Sequence, residues 1–327
     1  MAMLFSPVFF SAFISDLFMF FPKDFIETAE GLLFAVVNPG LEQGKALCFL
    51  RYVNDGGRWR KQATDEANAF LRKHHPDYLH YSPVLDAELH AVDVERIAKR
   101  HQPRQRLLHI MQSEHHDPIE RDVLMLGELL KQQGMDLESV GITGSVLVGV
   151  QKDGSDIDLV CYGREVFHRC RAAVRALIEQ KRLQDLADSD WQESYRRRDC
   201  SLSYEDYVRH EKRKFNKAMV NGRKFDLSLI EPEEAGGQEC YQKLEPITLI
   251  CRITDDMRAF DYPSVYRIEH EAISFIVCFT ATYTGQAFNG ELVEVSGMLE
   301  RNARGAQHIV VGSSREARGE YIRVIDA

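Results

Sequence analysis

Three carboxylates and one Gly-Ser turn are the residues of this 327-residue chain whose types and spacing can do chemistry. Asp156 and Asp158 stand two apart in Asp156-Ile157-Asp158-Leu159-Val160. A strand has a side-chain period of two, so both carboxylates leave one face while Ile157 and Leu159 point to the core. Two hard oxygen donors on one face suit Mg²⁺, and two-metal sites of that kind serve in-line displacement at phosphorus. A third carboxylate comes in the run from Arg223 to Ile230. There Phe225, Leu227 and Leu229 alternate with Asp226 and Ser228, which puts Asp226 on the polar face of a half-buried strand. Upstream, an apolar run from Val140 ends in Gly144-Ser145. Gly144 lets backbone come close to a ligand, and Ser145 can open a helix whose free N–H groups face a phosphate.

Each of these elements alone is common; their order carries the reading. Gly-Ser, then Asp-x-Asp, then a distant lone Asp in a strand resembles the DNA polymerase beta-like nucleotidyltransferase superfamily, over roughly residues 117–232. The resemblance implies a small mixed sheet flanked by helices. It implies transfer of a nucleoside monophosphate from an NTP, ATP among the candidates, to a hydroxyl with release of pyrophosphate. Asp156 and Asp158 would bridge two Mg²⁺ (or Mn²⁺) ions, Asp226 would complete the acceptor-side metal, and Gly144 and Ser145 would hold the β- and γ-phosphates. Superfamily members modify nucleic-acid ends, tRNA, proteins and small molecules, so the core does not choose the acceptor.

Stretches around the motifs must position them. Asp117-Pro118-Ile119-Glu120 supplies an N-cap, a proline at the first helical position and an acid at the third. Ile119, Val123, Leu126 and Leu130 form one stripe of the helix that follows, and Gly134 ends it. After the Asp-x-Asp strand a second helix runs from Arg164 to about Asp185, with Phe167, Cys170, Val174, Leu177 and Ile178 on one side. A basic segment with Arg196, Arg197, Arg198, Arg209, Lys212, Arg213, Lys214, Lys217, Arg223 and Lys224 then precedes Asp226. Most of it reads as a solvated face balancing an acidic chain. Arg213 and Lys217 are four apart, so a helix would place both on one face, and they are the candidate phosphate contacts.

The expected architecture is α+β in three parts after an apolar extension, residues 1–22. Residues 23–116 form a small α+β domain: strands at Leu32–Val37 and Lys45–Val53, and a hairpin turn at Asn54-Asp55-Gly56-Gly57. A helix capped by Thr64 follows, and a short helix over residues 93–101 is ended by Pro103. Residues 117–244 are the nucleotidyltransferase core. Residues 245–327 alternate short strands with turn signals and suggest a small antiparallel barrel or sandwich. Such barrels bind oligonucleotides, and Phe275, Phe279, Tyr283 and Phe288 either stack bases or, more commonly for aromatics, fill a core.

Composition narrows the classes further. A net charge of −9 argues against a whole-surface nucleic-acid binder but not against a local groove. This balance favours a small-molecule or protein acceptor, whereas the basic segment and β tail favour a nucleic-acid end, tRNA included; the latter is preferred. A nucleotide sensor with weak activity is the alternative from another class. The 7 cysteines are odd in number and spread without Cys-x-x-Cys, which reads as reduced thiols in a cytoplasmic protein. Asp16 and Pro7 interrupt the apolar N-terminus, so stable membrane insertion is not expected. No Walker A motif occurs, which excludes a P-loop NTPase.

Overall fold

The computed structural model describes residues 20–83, 87–231, 240–313 and 317–326. The apolar extension lies outside them apart from Phe20, Phe21 and Pro22, as do Ser314, Arg315 and Glu316 of the polar loop near the C-terminus. The chain divides into two compact units. Of the described residues, those up to 109 and 141–152 form one; those of 110–140, 153–231 and from 240 onward form the other.

In the first unit the strands are β1 (Phe25–Thr28), β2 (Leu32–Val36), β3 (Lys45–Asp55), β4 (Arg58–Lys61), β5 (Leu79–Ser82), β6 (Ala87–Asp93) and β7 (Ile97–His101). They form one sheet of order β5-β6-β3-β2-β1-β7, with β4 also on β3. Alternation along β3 drives this: Ala46, Cys48 and Leu50 enter a core with Ile26, Leu32 and Phe34, closed by Ala67 and Leu71 of helix α1 (Thr64–His74). His90 is built into that core, its Nδ1 accepting the Leu50 N–H at 2.9 Å and its Nε2 lying 2.8 Å from Asn68 Oδ1. Burial pushes its pKa down to about 4.

Two local expectations are corrected here. The N-cap of α1 is Ala63, whose N–H donates to Glu66 at 2.9 Å, and Thr64 is already helical. The predicted helix over residues 93–101 is a 3₁₀ turn (Val94–Arg96) followed by β7, and Pro103 opens helix α2 (Pro103–Gln112) rather than ending one. β1 accounts for the difference: it pairs with β7, and that ladder overrides a weak helical pattern.

The second unit holds α3 (Pro118–Gln132), and the chain leaves it within β8 (Val140–Thr143), after Val140, for the short helix α4 (Gly144–Leu147) of the first unit. It returns as β9 (Ile157–Tyr162), α5 (Arg164–Glu179), α6 (Asp188–Arg198), α7 (Tyr204–Lys214), β10 (Lys217–Val220) and β11 (Arg223–Ile230). The Asp117 carboxylate accepts from the Ile119 and Glu120 N–H groups at 2.8 Å, so the predicted cap of α3 forms. The sheet order is β10-β11-β9-β8, with β9 and β11 parallel and β10 antiparallel. Residues 241–326 then give β12 (Tyr241–Arg258), β13 (Ser264–Glu269), β14 (Ile273–Cys278), β15 (Leu292–Asn302), β16 (Gln307–Val311) and β17 (Tyr321–Asp326). β12 pairs with both β13 and β15, so the sheet β12-β13-β14-β16-β15 closes into a barrel, and β17 adds to β15. One pairing, β14 with β16, is parallel where the alternation of strands and turns predicts antiparallel neighbours throughout. Gly297 permits the tight β15–β16 approach, since a Cβ there would lie 2.3 Å from the Val310 carbonyl oxygen.

Core and barrel are clamped within this unit. Arg164 forks onto Asp261 at 2.9 and 2.6 Å, and the Phe167 ring packs 5.1 Å from that of Phe260. His210 of α7 accepts the Val324 N–H of β17 through Nε2 at 3.1 Å while its Nδ1 faces the Asp206 carbonyl, which fixes the neutral tautomer. Burial pushes the His210 pKa down from 6.5 to about 4. The folded state therefore keeps it neutral while the unfolded chain takes up a proton. Stability is full above pH 6.5 and falls as pH drops toward 4, by at most roughly 3 kcal/mol. His210→Gln keeps bonding groups but does not titrate. It should cost about 1 kcal/mol at neutral pH, yet show a shallower fall in urea midpoint between pH 6.5 and 4 than the parent chain, with His90, His101 and His168, also pushed down by burial, contributing to the remaining slope.

Candidate active site

The parallel β9–β11 ladder places Asp226 directly beside Asp158, as register partners on one face of the sheet. Asp156 lies two residues before Asp158, and it senses Asp226: burial raises its carboxyl pKa, Lys224 opposes this, and the Asp226 charge adds to the rise. Ile157, Leu159, Phe225 and Leu227 are buried while the three aspartates are half-buried, the pattern expected of a strand with one polar face. Negative charge therefore accumulates on one stretch of sheet. Lys224 stands close to it and is held by Glu193 at 3.1 Å.

Lys217 completes this face from the other side. It is the register partner of Asp226 across β10 and β11, and its ammonium donates to Glu211. Burial alone would lower its pKa, but Glu211 and Asp226 together raise it, so it stays charged between two carboxylates. Glu211 is itself buried; burial opposes its ionisation, and Lys214 and Lys217 outweigh that and hold it down at about 2. Lys214, 1% exposed, donates to Glu211 and to the Thr282 carbonyl at 3.0 Å.

The pairing of Arg213 with Lys217 on one helix face is corrected. α7 ends at Lys214, Phe215 takes a left-handed conformation with φ 49°, and Lys217 begins a strand. Arg213 instead bonds Glu291 and lies over the Phe288 ring, its guanidinium carbon 4.6 Å from the centroid. Gly144, with φ 67°, and Ser145 open α4 in the first unit, where Thr143 donates to the Lys23 carbonyl at 2.7 Å. The positive φ explains the glycine there. That unit also holds a cavity of about 360 Å³ lined by Lys99, Arg100, His101 and Arg106 together with Leu147, Val148 and Gly149. Its cationic lining suits an anion.

Glu211 was not singled out by sequence reasoning. Its only signal is the i,i+3 spacing to Lys214, which on most helices marks an exposed pair. The oxygen donors at Asp156, Asp158 and Asp226 are of the right chemistry for a hard divalent ion, and the register aligns Asp158 with Asp226. Among the described residues, however, no group of three or more His, Cys, Asp or Glu side chains is gathered closely enough to hold a metal ion. Nor, among these residues, is any helix long and apolar enough to cross a membrane.

The class these elements define is a mixed α+β transferase core with carboxylates on one sheet face. Residues 125–253 match the family described as nucleotidyltransferase domain, polymerase beta-like. The chain is also 34% identical over 335 residues to "Uncharacterized protein MJ1086" of Methanocaldococcus jannaschii, an alignment covering 92% of this chain and 98% of that protein. The chain belongs to one family with that protein, and its central region carries a nucleotidyltransferase domain, which supports nucleotidyl transfer as the general activity. No solved structure matches it.

Removing the Glu211 charge leaves two ammonium groups facing each other in the interior. Glu211→Gln should lower the unfolding free energy by about 3 kcal/mol or more. Lys212→Gln, on the exposed side of the same helix, should stay within about 0.5 kcal/mol. Paired urea titrations of the two variants check this.

Proposed function

We propose that the chain transfers a nucleoside monophosphate from an NTP to a hydroxyl on a nucleic-acid end, tRNA ends included, releasing pyrophosphate. The observation that carries this reading is the register that sets Asp226 beside Asp158, with Asp156 two residues away, inside the region that matches the family. In the step, the acceptor oxygen bonds to the α-phosphorus, the bond from that phosphorus to the bridging oxygen breaks, and pyrophosphate leaves with the electron pair. In this reading Asp226, on the strand between β9 and β10, would also help draw off the acceptor proton. Asp156, Asp158 and Asp226 would hold two Mg²⁺ or Mn²⁺ ions, which supply charge neutralisation at the triphosphate and a more acidic acceptor hydroxyl.

Gly144 and Ser145 hold the β- and γ-phosphates through backbone N–H groups in this reading. Lys217, charged and beside Asp226, would meet a phosphate in this reading only by leaving Glu211. Arg213 would have to leave Glu291 to do the same. A small-molecule or protein acceptor is compatible with the net charge of −9 and is an outcome of the same assay. A second reading, a nucleotide-binding sensor with weak activity, is favoured by one observation: among the described residues the three carboxylates are not gathered into a cluster able to hold a metal ion.

Label from α-³²P NTPs should pass to tRNA or single-stranded oligonucleotides in the presence of Mg²⁺ or Mn²⁺. Asp158→Asn should reduce the rate by on the order of 100-fold or more, since even partners outside the first metal shell cost 10–100-fold. Transfer to small alcohols or proteins alone would reassign the acceptor. NTP binding without any product would move the chain to the sensor reading.

A further inference from the structure

We infer that the C-terminal barrel carries a binding site for single-stranded nucleic acid on the outer face of β13 and β14 and the loop that leads into β13. The strand order supports this first. Counting from β12, the barrel closes as first, second, third, fifth, fourth and back to first, and its one parallel pairing joins third to fifth. That is the closed Greek-key order of the OB barrel, which presents oligonucleotides to its second and third strands and to the first connecting loop. The 18-residue β12 bends far enough to pair on both sides because its register shifts between Lys243 and Pro246, between Ile253 and Asp255, and between Asp255 and Arg258.

A fold order alone does not assign a ligand, and the side chains supply the second observation. Inward positions of the strand pair are apolar and buried: Tyr266, Ile268, Ile273, Ile276 and Cys278. Of the outward strand positions Phe275 carries a ring, and Phe279 and Tyr262 add two more beside the strands, next to Arg267, Glu269 and Ser274 and the half-buried Val265 and Val277. Phe275 is 36% exposed, Phe279 at the end of β14 is 38% exposed and Tyr262 in the connecting loop is 58% exposed. Tyr262 and Phe279 meet edge to face with centroids 6.4 Å apart, which leaves ring surface facing solvent. Arg267 is the register partner of Phe275 and lies with its guanidinium carbon 5.6 Å from that ring centroid. A cation stacked on an exposed ring forms a platform on which a base can lie and a phosphate can be met.

The occupant is a single strand rather than a duplex. Phe275 and the paired rings of Tyr262 and Phe279 match splayed bases, each of which offers a π-face, whereas a duplex hides those faces and is held through phosphates. The charges agree. Arg267 and Arg252 are offset by Asp255 and Glu269 on the same strands, so the face is not a basic stripe. Stacking must therefore supply most of the affinity, and salt must weaken it only slightly.

The inference deepens the proposed nucleic-acid acceptor and rests on that reading for its role in catalysis; the binding itself does not. Fluorescence anisotropy of a labelled mixed-sequence 20-mer against the full-length protein, in EDTA so that no metal-dependent step intervenes, tests it. The single-stranded RNA or DNA should bind well ahead of the matched duplex, with a shallow salt dependence. Phe275→Ala and Tyr262→Ala should each weaken binding by roughly 5- to 100-fold. Phe275→Trp should restore it, with circular dichroism and thermal melting confirming that each variant is folded. Equal binding by duplex and single strand, or a folded Phe275→Ala that binds like the parent, would overturn the inference. Absence of oligonucleotide binding would assign the rings to another partner. NTP-dependent transfer measured in parallel separates the two claims. Transfer without oligonucleotide binding would sink the barrel site alone, and binding without transfer to any acceptor would sink the transferase reading.

Discussion

Parallel pairing of β9 with β11 sets Asp158 against Asp226, and much of the second unit follows from that register. A slip of one residue would send Asp226 to the opposite face and bring Phe225 or Leu227 out of the core. The register is thus held by apolar burial, and the price is two like charges side by side with a third, Asp156, close by. Desolvation and Asp226 both push the Asp156 pKa up, which is the electrostatic cost expressed locally.

Relief of that cost runs outward through one connected chain of charges. Lys217 answers Asp226 across β10, Glu211 answers Lys217, and Lys214 answers Glu211. Glu211, Lys214 and Lys217 are nearly dry, so none of them can be left without its partner: an unpaired buried ion costs several kcal/mol. The last link is the Thr282 carbonyl, which belongs to the barrel. The barrel therefore takes part in the electrostatics of the sheet face. Arg164 with Asp261 and His210 with Val324 add contacts at two other places, so core and barrel are joined at several independent points.

How far this could be read from sequence depended on the range of the determining interaction. The cap at Asp117, the strand faces of Asp158 and Asp226 and the six strands of the C-terminal sheet follow from local pattern, because a period of two or a run of cap residues is written in consecutive positions. The family resemblance over the central region is shown by the same residues together with the match at 125–253. What failed was governed by pairing between distant segments. Residues 93–101 carry a weak helical pattern, yet β1 recruits them as a strand. Arg213 and Lys217 have helical spacing, but the left-handed Phe215 separates them, a conformation no spacing rule reports for a phenylalanine. Glu211 looked like one more charge in a basic run because burial of its neighbours is a tertiary fact.

A chain of net charge −9 is a poor electrostatic lure for a polyanion, and the distribution of its cations sharpens the point. Lys214, Lys217, Arg164 and Arg213 are each bonded to a carboxylate within the second unit, so many of its positive charges serve the fold and not the long-range field. Affinity for a nucleic-acid acceptor then has to come from short-range contact, for which exposed rings backed by an arginine are suited and a diffuse basic surface is not. Short-range capture also limits the acceptor to segments whose bases are already unstacked. For the proposed nucleic-acid acceptor, then, the acidity of the protein is no obstacle; it would act as a filter that favours frayed or single-stranded ends over the duplex that surrounds them.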